Sequence, residues 1–293
     1  MICSSVPELF WLNGCVVFLS VGFRKLLIKE EMTQVNLDNV LNIACLGIRR
    51  AIIFMGLGLN AATDPNFKDY SLIPHTGISL VPNAASDEVI EEYKREFSSW
   101  IVAGGLREII ESFSVFLDEV YTFCLQTSIS NDTLTLEDAQ NKNKCFKQVF
   151  LNKKLKLLSK DYPIDSEINQ LLLDLGRVRN CLTHRRGIVS NEDCNTEHGL
   201  QVSWKALEIV AKQQTGAETP IPFPIKEPVF LAQGGTLNAQ WYIKSAVFPV
   251  GTSIRLKPRD LSEIAFLVNE EAKKIISSVI LIARSAGADI TEH

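Results

Sequence analysis

Residues 175–189, Leu-Gly-Arg-Val-Arg-Asn-Cys-Leu-Thr-His-Arg-Arg-Gly-Ile-Val, hold the densest set of groups in this chain able to handle protons and phosphates. His184 is one of only four histidines, and Arg177, Arg179, Arg185 and Arg186 flank it. Histidine is the side chain whose ordinary charge change falls near neutral pH, so it can take or give a proton under physiological conditions. Arginine presents a planar fork of donors that fits a phosphate or a carboxylate. If the stretch is helical, Asn180 and His184 share one face and Arg179 and Thr183 another. Asn180, one turn before His184, can then hydrogen-bond the imidazole and fix its tautomer. Arg179 and His184 are separated by roughly 140° around an ideal helix. They converge only if the last turn unwinds or a second copy of the helix completes the site.

The local pattern predicts that helix. Ile168, Leu171, Leu172, Leu175, Val178 and Leu182 recur at spacings of three and four, the apolar stripe of an amphipathic helix. Asp165 or Ser166, after Pro163, can cap its start. Gly187 after two arginines suits its end, with cations against the terminal carbonyls and then a residue tolerant of positive φ. His184 falls in the last turn, and Gly187-Ile188-Val189 leads into a short strand.

Arg179-Asn180-Cys181-Leu182-Thr183-His184 reads as Arg-Asn-x-x-x-His and resembles the signature of HEPN domains, the all-helical modules named for higher eukaryotes and prokaryotes nucleotide-binding proteins. The context matches too: an apolar helix before the motif and Gly-Ile-Val after it. The resemblance is tight over about fifteen residues and looser over the preceding helical half of the chain. It implies a metal-independent ribonuclease without a cofactor, of the kind found in toxin, anti-phage or RNA-processing systems. Arg179 and His184 would be the catalytic pair, Asn180 their support, and Thr183, Arg185 and Arg186 substrate contacts. It also implies a homodimer with two motifs facing across a cleft, and an antitoxin or other regulatory protein as a further partner. RNA carries its own nucleophile, the 2′-hydroxyl. A histidine can take that proton or protonate the leaving oxygen, and a guanidinium can stabilise the charge that develops on phosphorus.

The same residues also fit a structural reading. A histidine and arginines in a last helical turn are ordinary partners of the helix dipole and solvated charges. Asn180 fits a helix-end hydrogen bonder, Cys181 a small core residue, and Arg185 and Arg186 surface charge.

A chain of 293 residues is long enough for a substantial core. With 46% apolar and 22% charged residues it has an ordinary globular composition. The net charge of −4 excludes a global nucleic-acid signature. The charge is unevenly placed: residues 141–187 carry seven lysines and four arginines against four carboxylates, whereas residues 85–120 carry nine acids against three bases. A basic segment leading into the Arg/His helix suits a phosphate polymer, and equally a solvated helix face. Seven scattered cysteines without a Cys-x-x-Cys argue against a disulfide framework or structural zinc. Cys194, His198 and His184 lack a clear fourth ligand. A reducing cytoplasm fits this usage.

Residues 1–31 contain an apolar run, 9–23, that admits three readings: a marginal membrane anchor, a helix packed on the body, or an extension upstream of a start at Met32, the favoured one. A membrane association is not expected. Asn36 or Asp38 opens a helix through about Leu59. Gly56-Leu57-Gly58-Leu59-Asn60-Ala61 mimics a dinucleotide fingerprint but lacks its strand–turn–helix context. Residues 61–84, with three prolines, read as a long loop. A helix runs from Ser86 to about Leu125, with a candidate kink site at Gly104-Gly105. Thr135, with Asp138 three residues on, opens another helix through to Lys160. After Gly187 the alternation of Val202/Trp204, Trp241/Ile243/Ser245 and Ser253–Leu256, with Val229–Leu231, predicts three or four short strands. Residues 219–228, rich in proline, read as a loop. Asp260, with Glu263 three on, caps a last helix, Leu261 to about Ser285.

The expected fold is therefore mainly α, an HEPN-like helical bundle over residues 32–293 with a small β-rich insert at about 188–257 before the C-terminal helix. The first functional expectation is a metal-independent endoribonuclease. The second is a non-catalytic helical scaffold that binds nucleotide, RNA or a protein partner. A weaker third is a protein tethered to a membrane by residues 9–23.

Overall fold

Asn36 starts the first long helix: its side-chain oxygen accepts from the Asp38 and Asn39 backbone N–H groups at 2.9 and 3.2 Å, satisfying donors that a helix start otherwise leaves open. The computed structural model describes residues 17–20, 34–69, 86–214, 216–221, 234–287 and 289–292. In chain order these form β1 (Val17–Ser20), β2 (Gln34–Asn36), α1 (Leu37–Thr63), α2 (Asp87–Ser130), α3 (Leu136–Lys147), α4 (Leu151–Asp161) and α5 (Asn169–His184). The remaining elements are β3 (Leu200–Gln213), β4 (Glu218–Ile221), β5 (Gly235–Phe248), α6 (Pro258–Ser285) and β6 (Asp289–Glu292). The described residues are mostly helical, with a three-stranded antiparallel sheet, order β4-β3-β5, inserted before α6. β1 pairs with β2 and β6 in a second small sheet. Of the apolar run at 9–23, Val17–Ser20 are therefore extended; the rest, and Val229–Leu231, lie outside the described residues.

The core runs along α2, whose Leu106, Ile109, Phe113, Phe116, Leu117 and Val120 are fully buried. α1 lies along α2 at close range because glycine meets a side chain at each contact: Gly47 faces Ser112, Gly58 faces Ile101 and Gly105 faces Met55. The Gly-Leu-Gly of the false dinucleotide fingerprint thus lies inside a helix, where Gly58 packs against α2 while Gly56 and Leu57 face outward. Gly105 likewise packs against Met55, and the helix continues through it to Ser130. α1 is the one described helix long and apolar enough to cross a membrane; here one face packs into the core while Arg49 and Arg50 are exposed midway along it.

Several expected boundaries shift. Thr135 caps α3 as the pattern implied, accepting from Asp138 N–H at 3.2 Å. The single helix expected from there to Lys160 breaks at residues 148–150. The break lets Phe146 stack on Tyr121 at 3.9 Å while Leu155 and Leu158 also enter the core. α5 starts at Asn169, two or three residues later than expected, and neither Asp165 nor Ser166 caps it. Glu167 is instead drawn to Lys205 and Lys274, and its N–H donates to the buried Glu271 at 3.2 Å. β3 and β5 are long, 14 residues each, rather than short. β4 includes Pro220, at a position read as loop; an edge strand tolerates the missing donor. Ser253–Leu256 form only an isolated bridge. In α6 Asp260 lies inside the helix start and reaches back to the Lys257 N–H at 3.0 Å.

The α1–α2 contact yields a pair of opposite expectations. A methyl group at Gly47 would overlap the Ser112 side chain, whereas nothing lies within 4 Å of the position it would take at Gly56. Gly47→Ala should destabilise the fold by about 1–3 kcal/mol through overpacking, and Gly56→Ala should stabilise it by up to about 1 kcal/mol through helix propensity. Denaturant unfolding of the two variants measures both; equal effects would contradict the packing.

Candidate functional site

α5 places the motif. Ile168, Leu171, Leu172, Leu175, Val178, Cys181 and Leu182 are all buried, and the helix packs against α2, α4 and β3. Burying that stripe turns the opposite face outward. Asn180, Thr183 and His184 are exposed, and Arg179 is half-buried. A polar clamp ties α5 to the start of β3. Asp174, buried, accepts from Gln170 at 2.9 Å and from the Asn195 side chain at 2.8 Å, and Asn195 exchanges two hydrogen bonds with the Gln201 backbone. Burial raises the Asp174 pKa above its ordinary value.

The helix ends where Gly187 predicted. The Arg185 and Gly187 N–H groups both reach back to the Cys181 carbonyl, at 2.9 and 3.1 Å. Arg186 and Gly187 take φ of +52° and +76°, so two left-handed residues in a row turn the chain away. The expected strand after it is a short pairing. The Ile254 N–H donates to the Gly187 carbonyl at 2.8 Å, and Val189 exchanges bonds with Thr252 and Gly251. Cys181 sits inside this turn, donating its thiol to the Ile188 carbonyl at 3.3 Å, and burial pushes its pKa to about 11. A thiol so placed is a poor nucleophile.

The arginines divide. Arg185 turns inward to the buried Asp193, with Nε donating to Oδ2 at 2.9 Å and Nη2 to Oδ1. Asp193 also accepts from the Ser190 N–H at 2.9 Å and its hydroxyl at 3.0 Å. Burial raises the Asp193 pKa, but Arg185 and Ser190 outweigh it and hold the carboxyl below its ordinary value. Arg186 and Thr183, the other two expected substrate contacts, face solvent. Arg179 Nε is buried and has no hydrogen-bond partner among the described residues. A buried guanidinium donor without an acceptor is costly.

Among the described residues no hydrogen bond or ion pair joins Asn180 to His184, or Arg179 to His184. α5 remains helical through His184, so the angular separation between Arg179 and His184 stands within one chain. The basic excess of residues 141–187 is partly structural: Lys154 is buried and pairs with Asp118 at 2.7 Å, and Lys142 lies 3.8 Å from Asp161. Sequence reasoning missed Asp193, although Ser190 three residues before it marks a side chain that caps its own turn. It also missed a basic depression beside this turn, lined by Lys244, Arg255, Lys257 and Arg259.

Comparison of the chain with protein-family models, curated proteins and solved structures finds no match. The resemblance to HEPN domains therefore rests on the motif and its helical setting.

The Arg185–Asp193 pair predicts an acid-sensitive contribution to stability. A depressed folded pKa adds stability above the unfolded carboxylate value, about 3.9, and that contribution is lost as pH falls through the folded value. Asp193→Asn should cost about 1–3 kcal/mol near neutral pH, and the gap from the parent should narrow below about pH 4. Unfolding curves at pH 7 and across the acid range measure it; a gap that is absent at pH 7 would show the pair to be idle.

Proposed function

We propose that the chain is a metal-independent endoribonuclease with an HEPN-like helical bundle, working as a homodimer in the cytoplasm. The observation that carries this reading is His184, exposed at the end of α5 and without a side-chain partner among the described residues. Asn180 lies one turn before it on the same face, and the unsatisfied Arg179 Nε lies on the neighbouring flank. His184 takes the proton of the RNA 2′-hydroxyl, or gives one to the departing 5′-oxygen. The 2′-oxygen attacks the adjacent phosphorus and the bond to the 5′-oxygen breaks, leaving a 2′,3′-cyclic phosphate and a 5′-hydroxyl. Arg179 stabilises the charge that builds on the phosphate oxygens. Because Arg179 and His184 diverge within one chain, the pair is completed across a two-fold axis, Arg179 of one copy with His184 of the other. A toxin or anti-phage role, with an antitoxin or other regulatory protein, is what the resemblance implies.

A second reading is favoured by that same divergence: a non-catalytic scaffold in which α5 binds nucleotide, RNA or a protein partner.

The two separate in one assay. In EDTA, the parent should cleave mixed single-stranded RNA to cyclic-phosphate ends, and His184→Ala and Arg179→Ala should each lose about 10²-fold or more in rate. Equal rates in parent and His184→Ala would sink the mechanism. RNA left intact by the parent favours the scaffold.

A further inference from the structure

The depression between the insert sheet and the first turn of α6 has a volume of about 380 Å3 and is lined by Trp204, Lys244, Ser245, Ala246, Arg255, Lys257, Arg259 and Asp260. Four cations surround it. Two of them are neutralised by the wall itself. Lys244 pairs with Asp260 at 2.7 Å and Glu263 at 2.9 Å, and Arg259 pairs with Glu263 at 2.8 Å. Trp204 completes that wall: Lys244 lies 5.3 Å over its ring, and its indole N–H donates to Glu263 at 3.1 Å. Trp204 is buried, so it supports the cluster and offers no open face for a base to stack on.

The other two cations, Arg255 and Lys257, are exposed and have no acidic partner among the described residues. They stand on the segment that pairs with the end of the motif. The Ile254 N–H bonds the Gly187 carbonyl, and Ile188 bridges Ser253 in antiparallel sense. One residue outward from the Gly187–Ile254 bond lie Arg186, in the turn, and Arg255, in the facing segment. The backbone thus carries a row of uncompensated charge from the His184 turn, through Arg186, to Arg255 and Lys257 at the mouth of the depression.

We propose that this depression binds a backbone phosphate of single-stranded RNA, one or a few nucleotides from the phosphate held at His184. The inference rests on the nuclease reading for the identity of the ligand, but binding does not require cleavage. Arg255 and Lys257 take the phosphate, Arg186 bridges it to the motif, and the Lys244–Asp260–Glu263 network holds the pocket's shape. Contacts of this kind position a strand without reading its bases, and each phosphate neutralised contributes to the salt dependence of binding.

The test uses the full chain carrying His184→Ala, so that RNA stays intact, with a fluorescein-labelled single-stranded RNA in EDTA and anisotropy as readout. Arg255→Glu/Lys257→Glu in that background should weaken binding about 10-fold or more and flatten the salt slope by about two phosphate contacts. Lys147→Glu/Lys160→Glu, the same charge change on α3 and α4, should leave the slope unaltered. Circular dichroism checks that each variant is folded. Unchanged affinity and slope in the Arg255/Lys257 variant, or an equal loss in the α3/α4 variant, would overturn the pocket while leaving cleavage by the parent unaffected. Absence of RNA binding by the His184→Ala chain would overturn it too. Pocket-dependent binding without cleavage by the parent would uphold the pocket and sink the nuclease reading alone.

Discussion

Burial of the apolar stripe on α5 sets what the rest of the molecule can do. Seven side chains from Ile168 to Leu182 enter the core, and each fully buried aliphatic group stabilises the fold by about 1.5–3 kcal/mol relative to exposure. Rotating the helix to bury His184 would expose that stripe. The exposure of Asn180, Thr183 and His184 is therefore a consequence of packing. It would persist whether or not the helix had a catalytic role.

α5 can be held in this way because α2 provides a long, rigid backing, and α2 is in turn fixed by α1. Glycines let those two helices approach where larger side chains would hold them apart. Polar groups buried at the periphery are satisfied locally. Lys154 reaches Asp118 and Ser114, Tyr121 donates to Asp161 at 2.6 Å, and Asp174 is shared between Gln170 and Asn195. Lys154 to Asp118 and Tyr121 to Asp161 join elements about 40 residues apart, and Asn195 ties α5 to the start of β3.

The end of α5 combines opposite electrostatic situations within three residues. Arg185 is committed to a buried carboxylate and stiffens the turn. Arg186, next to it, is held outward by a left-handed backbone. His184, just before both, has no partner among the described residues. A rigid turn that presents one proton-transfer group and one cation is what phosphate chemistry requires, since positioning supplies much of the rate. Three backbone hydrogen bonds hold this turn against residues 251–254, the segment that precedes Arg255 and Lys257.

Local chemistry was legible in the sequence. The stripe of α5, the cap at Asn36, the Thr135–Asp138 start of α3 and the stop at Gly187 depend only on neighbours within a turn or two. Residue type and spacing specify them, and the structure places each within a few residues. What depends on distant partners was not legible. The break between α3 and α4 goes with the stacking of Phe146 on the distant Tyr121. The late start of α5 reflects the capture of Glu167 by Lys205 and Lys274. The inward turn of Arg185 requires Asp193 to be buried beside it. The grouping of Lys244, Arg255 and Lys257 needs the sheet and α6 to meet. A periodic pattern states which face of a helix is buried, not against what. Covering that face is a property of the whole chain, and so is the choice of which charged groups are paired and which stay open.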